Sequence, residues 1–271
     1  VLHSLEHLTR LPEQPQIVLV DNASSDDTLA AVARCFPDVQ IIEAGGNLGG
    51  AGRNLGVQQV NTPYIAFCDD DTWWEPGGLR YAADLMDAHP RLAVISAHVL
   101  VGPQEKEDPT CRIMAESPLA RTPAMPGPAL LGFLAGASVV RRAAFLAAGG
   151  FNAHFLVGGE EQLLATDLAA AGWWLCYIAA ITVHHYPSQQ REMHATRRWR
   201  MVRNALWFAW LRRPLPSVLR RTFAVLRSAL HNQTARQGFI HALAGLPWVL
   251  RQRRVVPPTV EAGLRQLDYL A

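Results

Sequence analysis

Short runs of β-forming apolar residues alternate with segments of helical apolar spacing through the first half of the chain, and two of these runs end in acidic residues. Residues 16–20 (QIVLV) lead into Asp21 and Asn22, and residues 64–68 (YIAFC) lead into Asp69, Asp70 and Asp71. Between them the spacing predicts a helix carrying Leu29, Val32, Ala33 and Phe36, a strand over 39–42, a glycine-rich loop over 45–50 and a helix to about Val60. Leu2, Leu5 and Leu8 place a helix at the start. Further on the pattern predicts a helix over 78–88, a strand over 92–101, an irregular loop over 103–128 and an apolar strand or turn over 130–141. A helix from Glu160 closed by Gly172 follows, then a strand ending at His184 and His185. This alternation predicts an α/β fold, a Rossmann-like, mostly parallel sheet with helices on both faces.

No uninterrupted apolar stretch reaches the roughly 18 to 20 residues of a membrane span. Cys35, Cys68, Cys111 and Cys176 are widely spaced and lack metal-finger spacing. They read as reduced thiols of a cytoplasmic protein. Charge divides the chain. Residues 1–186 carry 10 basic and 20 acidic side chains, whereas residues 187–271 carry 15 Arg and only Glu192, Glu261 and Asp268. The split predicts two functional regions, 1–186 and an Arg-rich helical extension over 187–271.

Three adjacent carboxylates repel one another unless a cation or hydrogen bonds compensate. At the carboxyl end of a strand, Asp69, Asp70 and Asp71 would face the crevice where α/β sheets bind ligands, and could hold Mg²⁺ or Mn²⁺ with substrate phosphates. Asp21 sits at a similar strand end, where it can bind a ligand or cap the next helix. Asn47, Arg53 and Asn54, with the glycine-rich loop, could approach a diphosphate. Glu160 and Glu161 start a helix, where the dipole favours anions, and can also serve as a general base. His184 and His185 point to opposite faces of a strand, so one of them could complete a metal shell.

In order and spacing, these pieces resemble family-2 glycosyltransferases of the GT-A fold over residues 1–186. The resemblance rests on Val20-Asp21-Asn22-Ala23-Ser24, Asn47 to Gly56, Phe67-Cys68-Asp69-Asp70-Asp71 with Trp74 and Pro76, and Gly136-Ala137. It continues through Gly149-Gly150-Phe151, Glu160-Glu161, Ala171-Gly172-Trp173 and His184. It implies an inverting transfer of sugar from a nucleoside-diphosphate donor to a hydroxyl of a glycan or lipid-linked acceptor. Asp21 would bind the base, and Asn47, Arg53 and Asn54 would lie near the nucleotide and diphosphate. Asp69 or Asp70 would touch the ribose, and Asp71, with Asp69, would hold Mg²⁺ or Mn²⁺. Glu161, beside Glu160, stands where the family usually has an Asp base, and His184 where some members add a metal contact. Asp167 replaces a frequent Arg. The family's first strand is missing before the opening helix, which predicts a gap in the sheet and weak activity.

Two other readings compete. One is a non-catalytic nucleotide-sugar-binding protein. The other is a sugar-phosphate nucleotidyltransferase, a class that wants a phosphate lysine where this chain has only Lys106. In the extension, Arg197, Arg198, Trp199, Arg200, Arg203, Trp207, Phe208, Trp210, Arg212 and Arg213 interleave arginines with aromatics. This pattern suits a peripheral helix on anionic lipid at the inner face of the cytoplasmic membrane, or plain packing on the catalytic region. Nucleic acid is the weakest of the three readings.

Overall fold

The computed structural model describes residues 1–187 and 195–268. Elements run α1 (Leu2–Thr9), β1 (Val18–Asp21), α2 (Thr28–Cys35), β2 (Gln40–Glu43), α3 (Gly52–Gln59), β3 (Tyr64–Cys68), β4 (Thr72–Trp74) and α4 (Gly78–Ala88). They continue with β5 (Leu92–Val101), β6 (Lys106–Glu107), α5 (Pro109–Ala115), β7 (Ala137–Arg141), α6 (Arg142–Ala147), α7 (Glu160–Ala170) and β8 (Trp174–His185). Five helices follow: α8 (Ala195–Arg212), α9 (Leu215–Ala229), α10 (Gln233–Ala244), α11 (Leu246–Gln252) and α12 (Pro258–Asp268).

The strands form two sheets. β1 and β2 pair in parallel as a two-stranded sheet, and the other six make a sheet of order β3-β7-β5-β8-β4 with β6 on β5. No pairing joins β1 to β3 among the described residues, so β1 and β2 stand as a separate sheet. The larger sheet is mixed rather than mostly parallel. Only β5 and β8 pair in parallel, while β7 lies antiparallel between β3 and β5, and β4 antiparallel on β8. The reason is connectivity. Parallel neighbours need a crossover, whereas β4 turns back within a few residues of β3.

β3, β5 and β8 therefore run one way, and their carboxyl ends share an edge with the amino ends of β7 and β4. Leu92 to Ala97 of β5 are all buried, as an apolar run between two neighbours requires. This sheet, with α4, α6 and one side of α7, forms the main core. A second core joins Leu131, Phe155 and Leu163 to Leu206, Trp207, Phe208, Trp210 and Leu211 of α8 and to residues of α10–α12. The extension thus shares a core with α7.

That packing corrects the expected lipid-facing role of α8. Trp207 and Trp210 are buried and spend their indole N–H groups inside the protein, on the Ala242 carbonyl (2.9 Å) and the Thr222 hydroxyl (2.9 Å). Arg203, Arg212 and Arg213 are buried as well. The side chain of Arg197 lies outside the described residues.

Candidate active site

The chain turns sharply after β3. Thr72 Oγ1 accepts from the Asp69 N–H (2.8 Å), and the Thr72 N–H donates to the Asp69 carbonyl (3.2 Å). This closed turn throws Asp69, Asp70 and Asp71 outward in different directions. Asp69 pairs with Arg53 from α3 across a very short contact. A Cβ at Gly136 would stand 2.6 Å from the Asp69 carboxylate, so only glycine lets the turn that enters β7 pass there. Asp70 is exposed, and its carbonyl accepts from the Ser4 hydroxyl (2.9 Å). Asp71 turns toward β8, where its Oδ2 lies 3.4 Å from His185 Nε2.

The histidine expectation is corrected here. His184 faces the other side of β8. Its Nε2 lies 2.6 Å from Glu75 and its Nδ1 3.6 Å from Glu105, and its ring stacks on Trp73 at 5.4 Å. His185 is the imidazole beside Asp71. A one-residue step along a strand reverses the face, and the register Thr72↔His185 and Trp73↔His184 fixes which is which.

The glycine-rich loop also serves a different purpose from the one expected. Gly49 has φ +58, and a Cβ on it would overlap the Leu156 carbonyl at 2.0 Å. The Gly50 N–H donates to that same carbonyl at 2.6 Å. Gly49 and Gly50 therefore dock the segment that leads into α7, whereas a Cβ at Gly45 or Gly46 would meet nothing within 4 Å. Asn47 is exposed and accepts from the Gly49 N–H (2.9 Å). Asn54 uses both ends of its amide on the backbone of Phe151, donating at 2.8 Å and accepting at 2.9 Å. It positions that turn, and its amide is not a spare donor. Arg53 differs, because its Nε has no hydrogen-bond partner among the described residues.

Asp21 is buried at the end of β1, where its carboxylate accepts from the Ser24 N–H (3.3 and 3.2 Å). Its neighbour Asn22 was not singled out from the sequence. It accepts from the Leu48 N–H (2.8 Å) and donates to the Gly49 carbonyl (3.0 Å), tying the β1 loop to the glycine loop. Only its place in the motif could have pointed to it.

Glu160 and Glu161 occupy the first turn of α7. Glu160 is buried, and its carboxylate lies over Gly50. Glu161 faces the Asp69–Arg53 pair. Burial and then the Glu160 charge push it up to about 7, against a backbone hydrogen bond from Ala135 and the Arg53 guanidinium, while Asp69 adds to the rise. A half-buried carboxyl that exchanges its proton near neutrality suits proton transfer.

The segment entering α7 is held from behind. Asn204 of α8 donates to the carbonyls of Phe155 (2.9 Å), Val157 (3.2 Å) and Gly158 (2.6 Å), and Arg203 to those of His154 (3.3 Å) and Phe155 (3.2 Å). Neither was foreseen as part of the site's support.

Asp71 and His185 give one carboxylate and one imidazole. No group of three or more metal-binding side chains able to hold a metal ion occurs among the described residues. That set does not fit an all-protein cage. It fits Mg²⁺ or Mn²⁺ whose remaining positions go to phosphate and water.

Acidic side chains gather at one end of a mixed sheet in a fold of the GT-A glycosyltransferase type. The chain belongs to glycosyl transferase family 2, whose model matches residues 1–147. It is 23% identical to the N-acetylglucosaminyl-diphospho-decaprenol L-rhamnosyltransferase of Mycobacterium tuberculosis, over 86% of this chain and 91% of that one. The fold is shared with the Pyrobaculum calidifontis mannosyltransferase PcManGT in complex with GDP-Man and Mn²⁺ (TM-score 0.55, 18% identity, 100% of this chain and 70% of that one). It is shared also with S. aureus TarS 1-349 in complex with UDP-GlcNAc (TM-score 0.58, 17% identity, 97% and 78%).

Proposed function

We propose that this chain transfers a sugar, with inversion, from a nucleoside-diphosphate donor to a hydroxyl of a lipid-linked glycan, aided by a divalent ion. The observation that carries the reading is the convergence of Glu161, the Asp69–Arg53 pair and the Asp71–His185 pair on one end of the sheet. The lipid-linked acceptor follows the acceptor that the mycobacterial relative is named for.

Glu161 takes the proton of the acceptor hydroxyl as its oxygen bonds to the anomeric carbon, and the bond from that carbon to the diphosphate breaks. Asp71 and His185 would hold the ion, which would supply positive charge against the diphosphate of the donor. Arg53, anchored by Asp69 and with part of its side chain exposed, offers its guanidinium to phosphate. Asn22 fixes the β1 loop, where Asp21 meets the base.

The test is a screen of nucleotide sugars for hydrolysis and transfer, with Mn²⁺ or Mg²⁺, on the intact chain. Asp71→Ala should abolish the metal-dependent part of donor binding. A chain that binds nucleoside diphosphate with Mn²⁺ but neither hydrolyses nor transfers any donor would be a binding protein instead.

A further inference from the structure

We propose that the outer face of α9 is a docking surface for a bilayer containing anionic lipid. Leu215, Leu219, Phe223, Leu226 and Leu230 are 63%, 60%, 68%, 41% and 74% exposed. At helical spacing these five fall within about 80° of arc, a continuous stripe along a helix roughly 22 Å long. The inward face of α9 carries Ser217, Val218, Thr222 and Val225 against its neighbours. The stripe is therefore not the packing face, and its exposure does not come from a helix facing the wrong way.

Charge identifies the occupant. Arg220 and Arg227 border the stripe on one side and both are exposed, Arg220 while paired with Asp268 of α12 at 3.1 Å. The sequence holds no Asp or Glu between Glu192 and Glu261. A second copy docked stripe to stripe would set these arginines against each other. An anionic lipid surface attracts every one of them while the leucines and phenylalanine enter the acyl boundary. The arginine stems can lie along that boundary with their heads among phosphates. No helix of the described residues is long and apolar enough to cross a membrane, so the contact lies in the plane of the surface. This inference gives the lipid-linked acceptor proposed above a place to be met, but it uses no residue of the donor site.

The experiment is flotation of the full chain, without donor, on phosphatidylcholine vesicles with and without one-third phosphatidylglycerol. Light scattering of the same samples gives the oligomeric state. Binding should require phosphatidylglycerol and weaken at high salt. Leu219→Ser with Phe223→Ser should weaken it by at least about tenfold, and Arg227→Gln by roughly fivefold. All three side chains are exposed, so the thermal midpoint and donor hydrolysis in detergent-free buffer should stay unchanged. Absence of binding to either vesicle overturns the proposal, as does binding that the double variant leaves intact. A dimer that the double variant splits, in a chain that ignores lipid, assigns the stripe to self-association and overturns it too. Since binding is read without donor, any of these failures leaves the transferase reading standing.

Discussion

As the proposed base, Glu161 must lose a proton to act and gains one easily, and both follow from where it stands. The first turn of a helix favours its anion, but burial and the charges of Glu160 and Asp69 oppose ionisation more strongly, and its carboxyl rises to about 7. Between the ordinary value of 4.5 and about 7 the folded chain holds a proton that the unfolded chain has lost. The contribution of Glu161 to stability therefore falls as pH rises through that window. Activity runs the other way, because the base must be ionised. The pH profile of kcat/KM should climb through about 7, and Glu161→Gln should lower transfer by roughly 10² to 10⁴ while sparing donor binding. Equal rates for the variant and the parent would remove Glu161 as base. The neighbouring histidines allow a sharper contrast. His185→Ala should weaken Mn²⁺-dependent donor binding by about tenfold or more, whereas His184→Ala should leave it within a factor of about two. Calorimetric titration of nucleoside diphosphate with Mn²⁺ separates them, and the reverse order would restore His184 as the ligand.

At the scale of elements, the segment from His154 to Gly159 connects two halves of the molecule. Its front meets Gly49 and Gly50, and its back meets Asn204. Asn204→Ala would leave carbonyls of that segment without their donor, at a cost of about 1 to 3 kcal/mol. The expected result is a lower thermal midpoint and a reduced kcat with little change in donor affinity, because α7 carries the proposed base and none of the residues proposed to meet the donor. Unchanged kcat at reduced stability would make Asn204 structural only. The strands and helices that carry this site were largely legible. β3, α4, β5 and α7 fall on their predicted spans because their apolar spacing is strong. β4 was not, since three residues carry no period. α5 was hidden in a segment read as loop, although Asp108 before Pro109 is a capping signal and its carboxylate does accept from the Thr110 N–H. Direction was the harder property. Nothing in the apolar run of β7 says that it enters antiparallel, which depends on how the chain returns from a distant excursion. The histidine face was equally closed to spacing, because it depends on register with β4. Glu161, Asp69 and Arg53 were legible as residue types in motifs, but their mutual approach was not. Asn54 and the loop glycines resembled ligand contacts because a residue that grips a backbone and one that grips a phosphate use the same groups.

On the scale of the whole molecule, charge asymmetry suggested an extension that binds something outside the chain, and the structure turns Arg203, Arg212 and Arg213 of that extension inward. Arg212 of α8 forms two bonds with Asp167 of α7, the second at 2.9 Å. Arg213 reaches Glu261 and Asp268 of α12. Burial pushes Glu261 up, but hydrogen bonds from Arg213, Ser217 and Arg265 outweigh it and hold the carboxyl below its ordinary range. That stabilisation is present above about 4.5 and is lost as pH falls through the lowered value. Asp167, noted in the sequence as a departure from a frequent Arg, thus joins the catalytic helix to the extension with the charges exchanged. Asp167→Ala would leave Arg212, whose side chain is only 10% exposed, buried beside no carboxylate partner on α7. Such a break costs about 3 kcal/mol or more. Because the pair lies between α7 and α8, the loss should appear as one cooperative shift in chemical denaturation that moves both cores together. An early, separate transition of the helical region would instead mean that α8–α12 fold apart from the catalytic sheet. Asp167→Arg paired with Arg212→Asp should recover part of the loss, which a simple packing defect would not allow.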